Sequence, residues 1–386
     1  MKRRLFITSS SAAIAVALTG CGGGGGGADS AAATGSTANS ADAGTAGASG
    51  TAQDSPSTSP TQVPEASAPS AGGPFGVGVN VHTGGSSTAQ NSQIVALLQA
   101  RNFRRIRMDY FAGQNQAVPR DFIAKVNAYG GSVEMALQIS YQWDHNVYSD
   151  LAAVQAKAYN ETYAAVDAMK DLVHDYELLN EVQLRPEILA AVPWNSAGAS
   201  TAPYENQPAL ANLAAILRGM ANAIHDVAAR SGAPLRVIMG VIGRDFGLLS
   251  FLRNQGVQWD VTGYHVYPRE SSANLQNDTW YGAGGPLAQL AAFGKPVTLN
   301  EFNPGEIYDP GYENAAGQPL TEQGLRSTAK HMLELYSQTQ CKLESVVFYE
   351  LLDAPSKPAP ENRFGLMYNL DTPKVALSLV TALAGG

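Results

Sequence analysis

Cysteine is almost absent, with only Cys21 and Cys341 in 386 residues. A disulfide framework and a cysteine-based metal site are thereby excluded. Charge is scarce as well: Asp, Glu, Lys and Arg make up 15% of the chain, the formal net charge is −8, and no basic run follows the first few residues. That excludes a groove for nucleic acid or another polyanion, and a neutral or cationic partner is easier to accommodate. No His-rich or carboxylate spacing suggests a catalytic metal, and no cofactor is expected. Between Gly22 and Gly73 there is no Lys or Arg, only four acids (Asp29, Asp42, Asp54, Glu65) in a background of Gly, Ala, Ser, Thr and Pro. Such a segment cannot bury enough apolar surface to offset its ordering entropy, so residues 21–73 are expected to form a flexible tether.

At the N-terminus, Lys2, Arg3 and Arg4 precede an apolar run over 12–18 that is too short to span a bilayer. Residues 1–20 therefore form an export signal. The following Leu18-Thr19-Gly20-Cys21 resembles the lipobox of bacterial lipoproteins. That resemblance implies that Cys21 is acylated and becomes the mature N-terminus, anchoring the protein in the cell envelope (outer membrane or periplasm in a Gram-negative cell). Cys341 is then left without a partner. Lys2-Arg3-Arg4-Leu5-Phe6-Ile7 also resembles a twin-arginine export signal. Ordinary signal cleavage near a cysteine stays open as the alternative.

The remaining 74–386, about 310 residues, suit one large α/β domain, expected to be monomeric. Short apolar, β-branched segments alternate with longer stretches of helical period. Eight strands are expected, over 75–82, 104–110, 132–139, 176–181, 235–242, 259–265, 296–301 and 345–351. Helical stretches are expected at 93–100, 150–172, 210–229 and 323–337, among others. The fold class is α/β, a (β/α)₈ TIM barrel. Such a barrel keeps its chemistry at the C-terminal rim of its strands. His82, Arg107, Asp109, Asn180, Glu181, His265, Tyr267 and Glu301 all come at or near expected strand ends.

Cleaving a glycosidic bond needs two carboxyl groups flanking it, one to protonate the leaving oxygen and one to attack or to activate water. Glu181 and Glu301 are the natural pair, each closing an apolar strand after an asparagine: Glu177-Leu178-Leu179-Asn180-Glu181 and Val297-Thr298-Leu299-Asn300-Glu301. Three βα units apart, they would face each other across the barrel mouth. Asn160-Glu161 supplies an internal control, because it lies in an Ala-rich helical stretch and is expected on a solvated helix face.

With these residues in place, the chain resembles clan A glycoside hydrolases, whose acid/base follows an Asn at the end of strand four and whose nucleophile ends strand seven. Ile106-Arg107-Met108-Asp109 resembles the strand-two arginine that helps hold the nucleophile ionised. Tyr264-His265-Val266-Tyr267 resembles the strand-six segment whose Tyr hydroxyl bonds the nucleophile. Phe348-Tyr349-Glu350-Leu351-Leu352-Asp353, with Glu361-Asn362-Arg363-Phe364-Gly365-Leu366 and Thr372-Pro373-Lys374, resembles the strand-eight end of family 39-like members, which include hydrolases of biofilm exopolysaccharide. The resemblance implies a sugar 2-hydroxyl held by Asn180. It departs at strand eight, where many clan members carry a Trp and this chain has Phe348 and Tyr349.

The function expected is retaining hydrolysis of an extracellular poly- or oligosaccharide, with Glu181 as acid/base, Glu301 as nucleophile and endo action. Substrate contacts are expected from Asn180, Arg107, Asp109, His82, His265, Tyr267 and Tyr349. The rim aromatics Trp143, Trp194 and Trp280, with Tyr141, Tyr204 and Tyr281, are candidates for stacking on sugar faces. Alternatives stay open: a non-catalytic carbohydrate-binding or exopolysaccharide-export barrel, a structural lipoprotein, a simple Arg107–Asp109 rim salt bridge, and core histidines at 82 and 265.

Overall fold

In the computed structural model the described residues are 76–82, 87–266, 281–303, 343–357 and 361–384. The eight strands are β1 (Gly76–Asn80), β2 (Arg105–Phe111), β3 (Ser132–Gln138), β4 (Asp175–Leu178), β5 (Arg236–Ile242), β6 (Val261–Val266), β7 (Val297–Phe302) and β8 (Leu343–Phe348). Their residues are mostly apolar, and β4, β6 and β7 are buried at every position, as strands covered on both faces require. Each pairs in parallel with its sequence neighbours, and β8 closes on β1. The result is the (β/α)₈ barrel that the alternation predicts.

Helices α1 (Thr88–Ala100), α2 (Ala117–Ala128), α3 (Leu151–Met169), α4 (Pro186–Ala191), α5 (Pro208–Ser231), α6 (Gly247–Asn254), α7 (Gly285–Ala291) and α8 (Val375–Leu383) cover the described outer surface. Local signals set their ends: a Ser87/Gln90 capping box starts α1, Asp150 caps α3 through the Ala153 amide, and Gly232, with φ of 72°, closes α5. None of the described helices is long and apolar enough to cross a membrane. The export signal, the tether, Cys21, Tyr267, Trp280, Cys341 and the helical stretch expected at 323–337 lie outside the described residues.

The two ends of the barrel are chemically different. At the N-terminal end Arg105 pairs with Glu134 (2.8 Å) and Asp175, and Arg236 pairs with Asp175 (2.7 Å) and Glu344 (2.8 Å), tying β2, β3, β4, β5 and β8 together. Each arginine of this layer bridges two carboxylates. The opposite end carries the candidate site.

Candidate active site

Arg107 is the hub. It sits mid-strand in β2 rather than at the strand end, and its 2%-exposed side chain lies in the barrel interior. Nε donates to Glu177 Oε2 (2.7 Å), Nη1 to Glu301 Oε1 (2.7 Å) and Asn80 Oδ1 (2.9 Å), and Nη2 to Asn180 Oδ1 (2.8 Å). A planar guanidinium with five donors can serve four acceptors at once, which an ammonium on a flexible stem cannot do in fixed geometry. Burial opposes its charge, but Glu177 and Glu301 more than offset this and hold its pKa well above the ordinary value.

Glu301 is the penultimate residue of β7, paired in register with His265 of β6. Glu181 approaches differently. Strand β4 stops at Leu178, and Leu179 (φ 58°) and Glu181 (φ 45°) both take the left-handed conformation, so Glu181 lies three residues beyond the strand. Non-glycine residues rarely adopt it, and where they do the site is often functional. The carboxylates converge on one imidazole: His265 Nδ1 is 3.1 Å from Glu181 Oε1 and 3.3 Å from Glu301 Oε2, while Nε2 is 3.4 Å from Glu177 Oε1. The ligand-type atoms of Glu181, His265 and Glu301 all lie within 4.8 Å of one another.

Protonation follows from these contacts. Burial raises the Glu181 pKa and Glu301's charge adds to this, against the opposing hydrogen bond from His265, for a net rise. Burial would lower His265, but Glu301, Glu177 and Glu181 raise it to about 10. Glu177, raised by burial, is pulled below its ordinary value by Arg107 and His265.

Glu177 was not foreseen as a site residue, although a structural signal for it exists in the neighbouring strand. A Cβ at Gly240 of β5 would stand 2.3 Å from Glu177 Oε1. Gly240→Ala is therefore expected to displace Glu177 from Arg107 and cost about 1–3 kcal/mol, read as a lower denaturant midpoint. An unchanged midpoint would mean that the interior relaxes without disturbing this pair.

A second cluster adjoins the first along β1, β2 and the segment after β8. His82 Nδ1 is 2.9 Å from Asp109 Oδ2, and its Nε2 is 3.0 Å from Glu350 Oε2. Lys357 Nζ lies 3.1 Å from Glu350 and donates to the Tyr349 hydroxyl (2.5 Å). Burial lowers His82, but Glu350 and Asp109 raise it to about 9; Asp109, raised by burial, is brought down to about 2 mainly by His82. Glu361 is 4% exposed, and burial, then Glu181, Glu301 and Glu350, outweigh Lys357 and raise it to about 7. A carboxyl raised on folding stabilises the fold fully below its ordinary value near 4.5, and loses that contribution as pH rises through about 7. Glu361→Gln should accordingly raise stability at pH 8 by up to about 3 kcal/mol relative to wild type and change little at pH 4. Equal differences at both pH values in chemical denaturation would contradict this.

Most of the expected residues converge: Arg107, Asn180, Glu181, His265 and Glu301 in the first cluster, and His82, Asp109 and Tyr349 in the second. The simple Arg107–Asp109 bridge is replaced by separate partners, since Asp109 accepts from Gln138 Nε2 (2.8 Å) and pairs with His82. The histidines are site members rather than isolated core groups. Trp143 stands at the rim against Phe111, ring centroids 5.0 Å apart. Trp194 is half-buried, farther round the rim beside Gly243. Tyr141, Tyr204 and Tyr281 are buried at 3%, 2% and 1% exposure, so they pin loops and present no face to a sugar. Phe348 packs inside on Phe302, leaving Tyr349 as the rim aromatic of that segment. Glu161 lies in α3 as expected, but its carboxylate accepts from both the amide (2.8 Å) and the hydroxyl (2.7 Å) of Ser140, holding the turn after β3. Asn80, Glu177, Glu350, Lys357 and Glu361 join the two clusters without having been assigned a role from sequence.

The trio Glu181, His265 and Glu301 has a spacing that could hold a metal ion. A ligating imidazole must be neutral, whereas Glu301, Glu177 and Glu181 raise the pKa of His265 to about 10, so a metal there would have to displace its proton.

The fold and the rim together define a (β/α)₈ barrel with a buried carboxylate pair that shares one histidine, and with one arginine bound to Glu301. No family model matches the chain, and no curated protein matches it. Among solved structures it is similar to a family 39 glycoside hydrolase from the gut symbiont Bacteroides cellulosilyticus WH2, at 15% identity and a TM-score of 0.53. That match covers 81% of this chain and 64% of the other, so this chain spans less than two thirds of that protein's length. It is also similar to a psychrophilic family 10 endo-β-1,4-xylanase (14% identity, TM-score 0.52, 80% of this chain and 96% of that one). A β-glucosidase from Exiguobacterium marinum is a third (10% identity, TM-score 0.54, 81% and 99%). At these identities the likeness establishes the shared barrel.

Proposed function

We propose that the chain is a retaining glycoside hydrolase acting on a poly- or oligosaccharide outside the cell, anchored through a lipid on Cys21. The observation that carries the proposal is the pair Glu181 and Glu301, buried at the rim with one oxygen of each within 4.8 Å of the other. Retaining enzymes hold their carboxyl groups about 5–5.5 Å apart, whereas inverting ones leave roughly 6.5–9.5 Å for a water.

The two environments divide the roles. Glu301, gripped by Arg107 at 2.7 Å, attacks the anomeric carbon while the bond from that carbon to the leaving oxygen breaks. Glu181, with its pKa raised by burial, gives its proton to that oxygen. In the second half Glu181 takes a proton from water, the water oxygen attacks the same carbon, and Glu301 is released. Arg107 holds Glu301, and His265 contacts both Glu181 and Glu301, through these steps, while Asn180, fixed by Arg107 Nη2, is the residue proposed to receive the sugar 2-hydroxyl. Half-buried Trp143, packed on Phe111, is the rim aromatic proposed to stack on a sugar away from the cleaved bond, as endo action requires.

Glu181→Gln tests the assignment. The variant should lose roughly 10²–10⁴-fold in kcat/KM on substrates with poor leaving groups, and much less on aryl glycosides whose leaving group needs no proton. Because Glu181 must be protonated and its pKa is raised, wild-type activity should decline as pH rises through that pKa, and the variant's profile should lack this limb. Equal losses on both substrate types, with the limb retained, would remove Glu181 from the acid role.

A further inference from the structure

The cluster beside the carboxylate pair has one acid more than its cations can match. His82 is shared between Asp109 and Glu350, and Lys357 between Glu350 and the Tyr349 hydroxyl. Glu361 is left over: it is 4% exposed, and its Oε1 has no hydrogen-bond partner among the described residues. The turn that begins at Glu361 leads to Phe364, whose carbonyl accepts from the Glu350 amide (3.0 Å) and whose ring meets Tyr349 edge-on, so Glu361 stands beside this cluster at the rim.

A buried carboxylate oxygen without a donor costs free energy until something supplies one. A sugar hydroxyl would supply a single neutral donor and leave the excess charge uncorrected. A uronate would bring one more acid into a cluster already short of cations. An ammonium group supplies three donors together with the missing positive charge, and charge-assisted hydrogen bonds are about twice as strong as neutral ones. The net charge of −8 and the lack of basic runs agree with a cationic substrate.

We infer that this subsite takes an amino sugar with a free ammonium group, received by Glu361 beside the Glu350–His82–Lys357 cluster. The inference rests on the glycosidase reading for its placement, but it makes a separate claim about binding.

The test uses β-1,4-linked glucose-type tetrasaccharides that differ only at C2 (amine, acetamide or hydroxyl), with D-galactosamine, N-acetylgalactosamine and galactose as a second matched set. Each is titrated calorimetrically into the full chain and into Glu361→Gln. In at least one set the amine should bind at least tenfold tighter than its two counterparts, and Glu361→Gln should erase that preference while leaving the others unchanged. Equal affinities within both sets in wild type overturn the inference without reference to any variant, as does a preference that survives Glu361→Gln in a variant whose thermal unfolding remains cooperative. Turnover is read separately on aryl glycosides. Glu301-dependent hydrolysis of neutral glycosides without amine preference leaves the enzyme reading standing and refutes this inference. Amine-selective binding with no turnover of any glycoside refutes the enzyme reading and retains the subsite.

Discussion

Glu301→Gln should lower kcat/KM on every cleaved glycan by on the order of a thousandfold or more, the largest catalytic effect expected in the protein. The amide keeps the shape of the side chain, and its oxygen can still accept the 2.7 Å hydrogen bond from Arg107. What is lost is the attacking oxygen, so no glycosyl ester can form. Folding should survive, because Glu177 remains to balance the buried guanidinium. Steady-state kinetics beside a thermal melt separates the two effects. Unchanged hydrolysis by a folded variant would show that another group performs the chemistry. An absence of hydrolysis in wild type, with glycan binding intact, would favour the non-catalytic carbohydrate-binding barrel.

Arg107→Met should have the largest effect on stability. The substitution leaves Glu177, fully buried, with His265 at 3.4 Å as its remaining cation among the described residues, and leaves Glu301, Asn80 and Asn180 without the donors that Nη1 and Nη2 supply. Removing one partner of a buried ion pair typically costs about 3–5 kcal/mol, since the remaining charge is uncompensated. Chemical denaturation should show a loss of this size together with loss of activity. Arg107→Lys should rescue little of either, because a point charge cannot reach acceptors on β1, β4 and β7 at once. A loss below about 1 kcal/mol, or full rescue by lysine, would show that the carboxylates are held by other means.

The barrel was legible because buried parallel strands appear in a sequence as short apolar runs between helical periods, and all eight were placed to within about three residues. The end of β4 was not. Apolar Leu179 reads as a continuing strand, and nothing in the residue types of Leu179 or Glu181 announces a left-handed backbone. Glu181 and Glu301 were legible from chemistry and spacing. Glu177 was passed over because its function comes from Arg107 on β2 and His265 on β6 entering the same buried layer, a long-range coincidence that the sequence order hides. Glu350 and Glu361 stand within a motif visible in the sequence, but their roles depend on which of them His82 and Lys357 neutralise. The tyrosines at 141, 204 and 281 misled because an aromatic that pins a loop and one that faces a cleft are the same residue type.

The central claim is a covalent sugar on Glu301, and trapping it is the most direct test. Incubating the protein with 2-deoxy-2-fluoroglycosyl fluorides slows release of the intermediate more than its formation, and peptide mass spectrometry then locates the adduct. The account predicts one added fluorosugar per chain, on the peptide containing Glu301 and absent from Glu301→Gln. An adduct on Glu181 or on any other residue would contradict it.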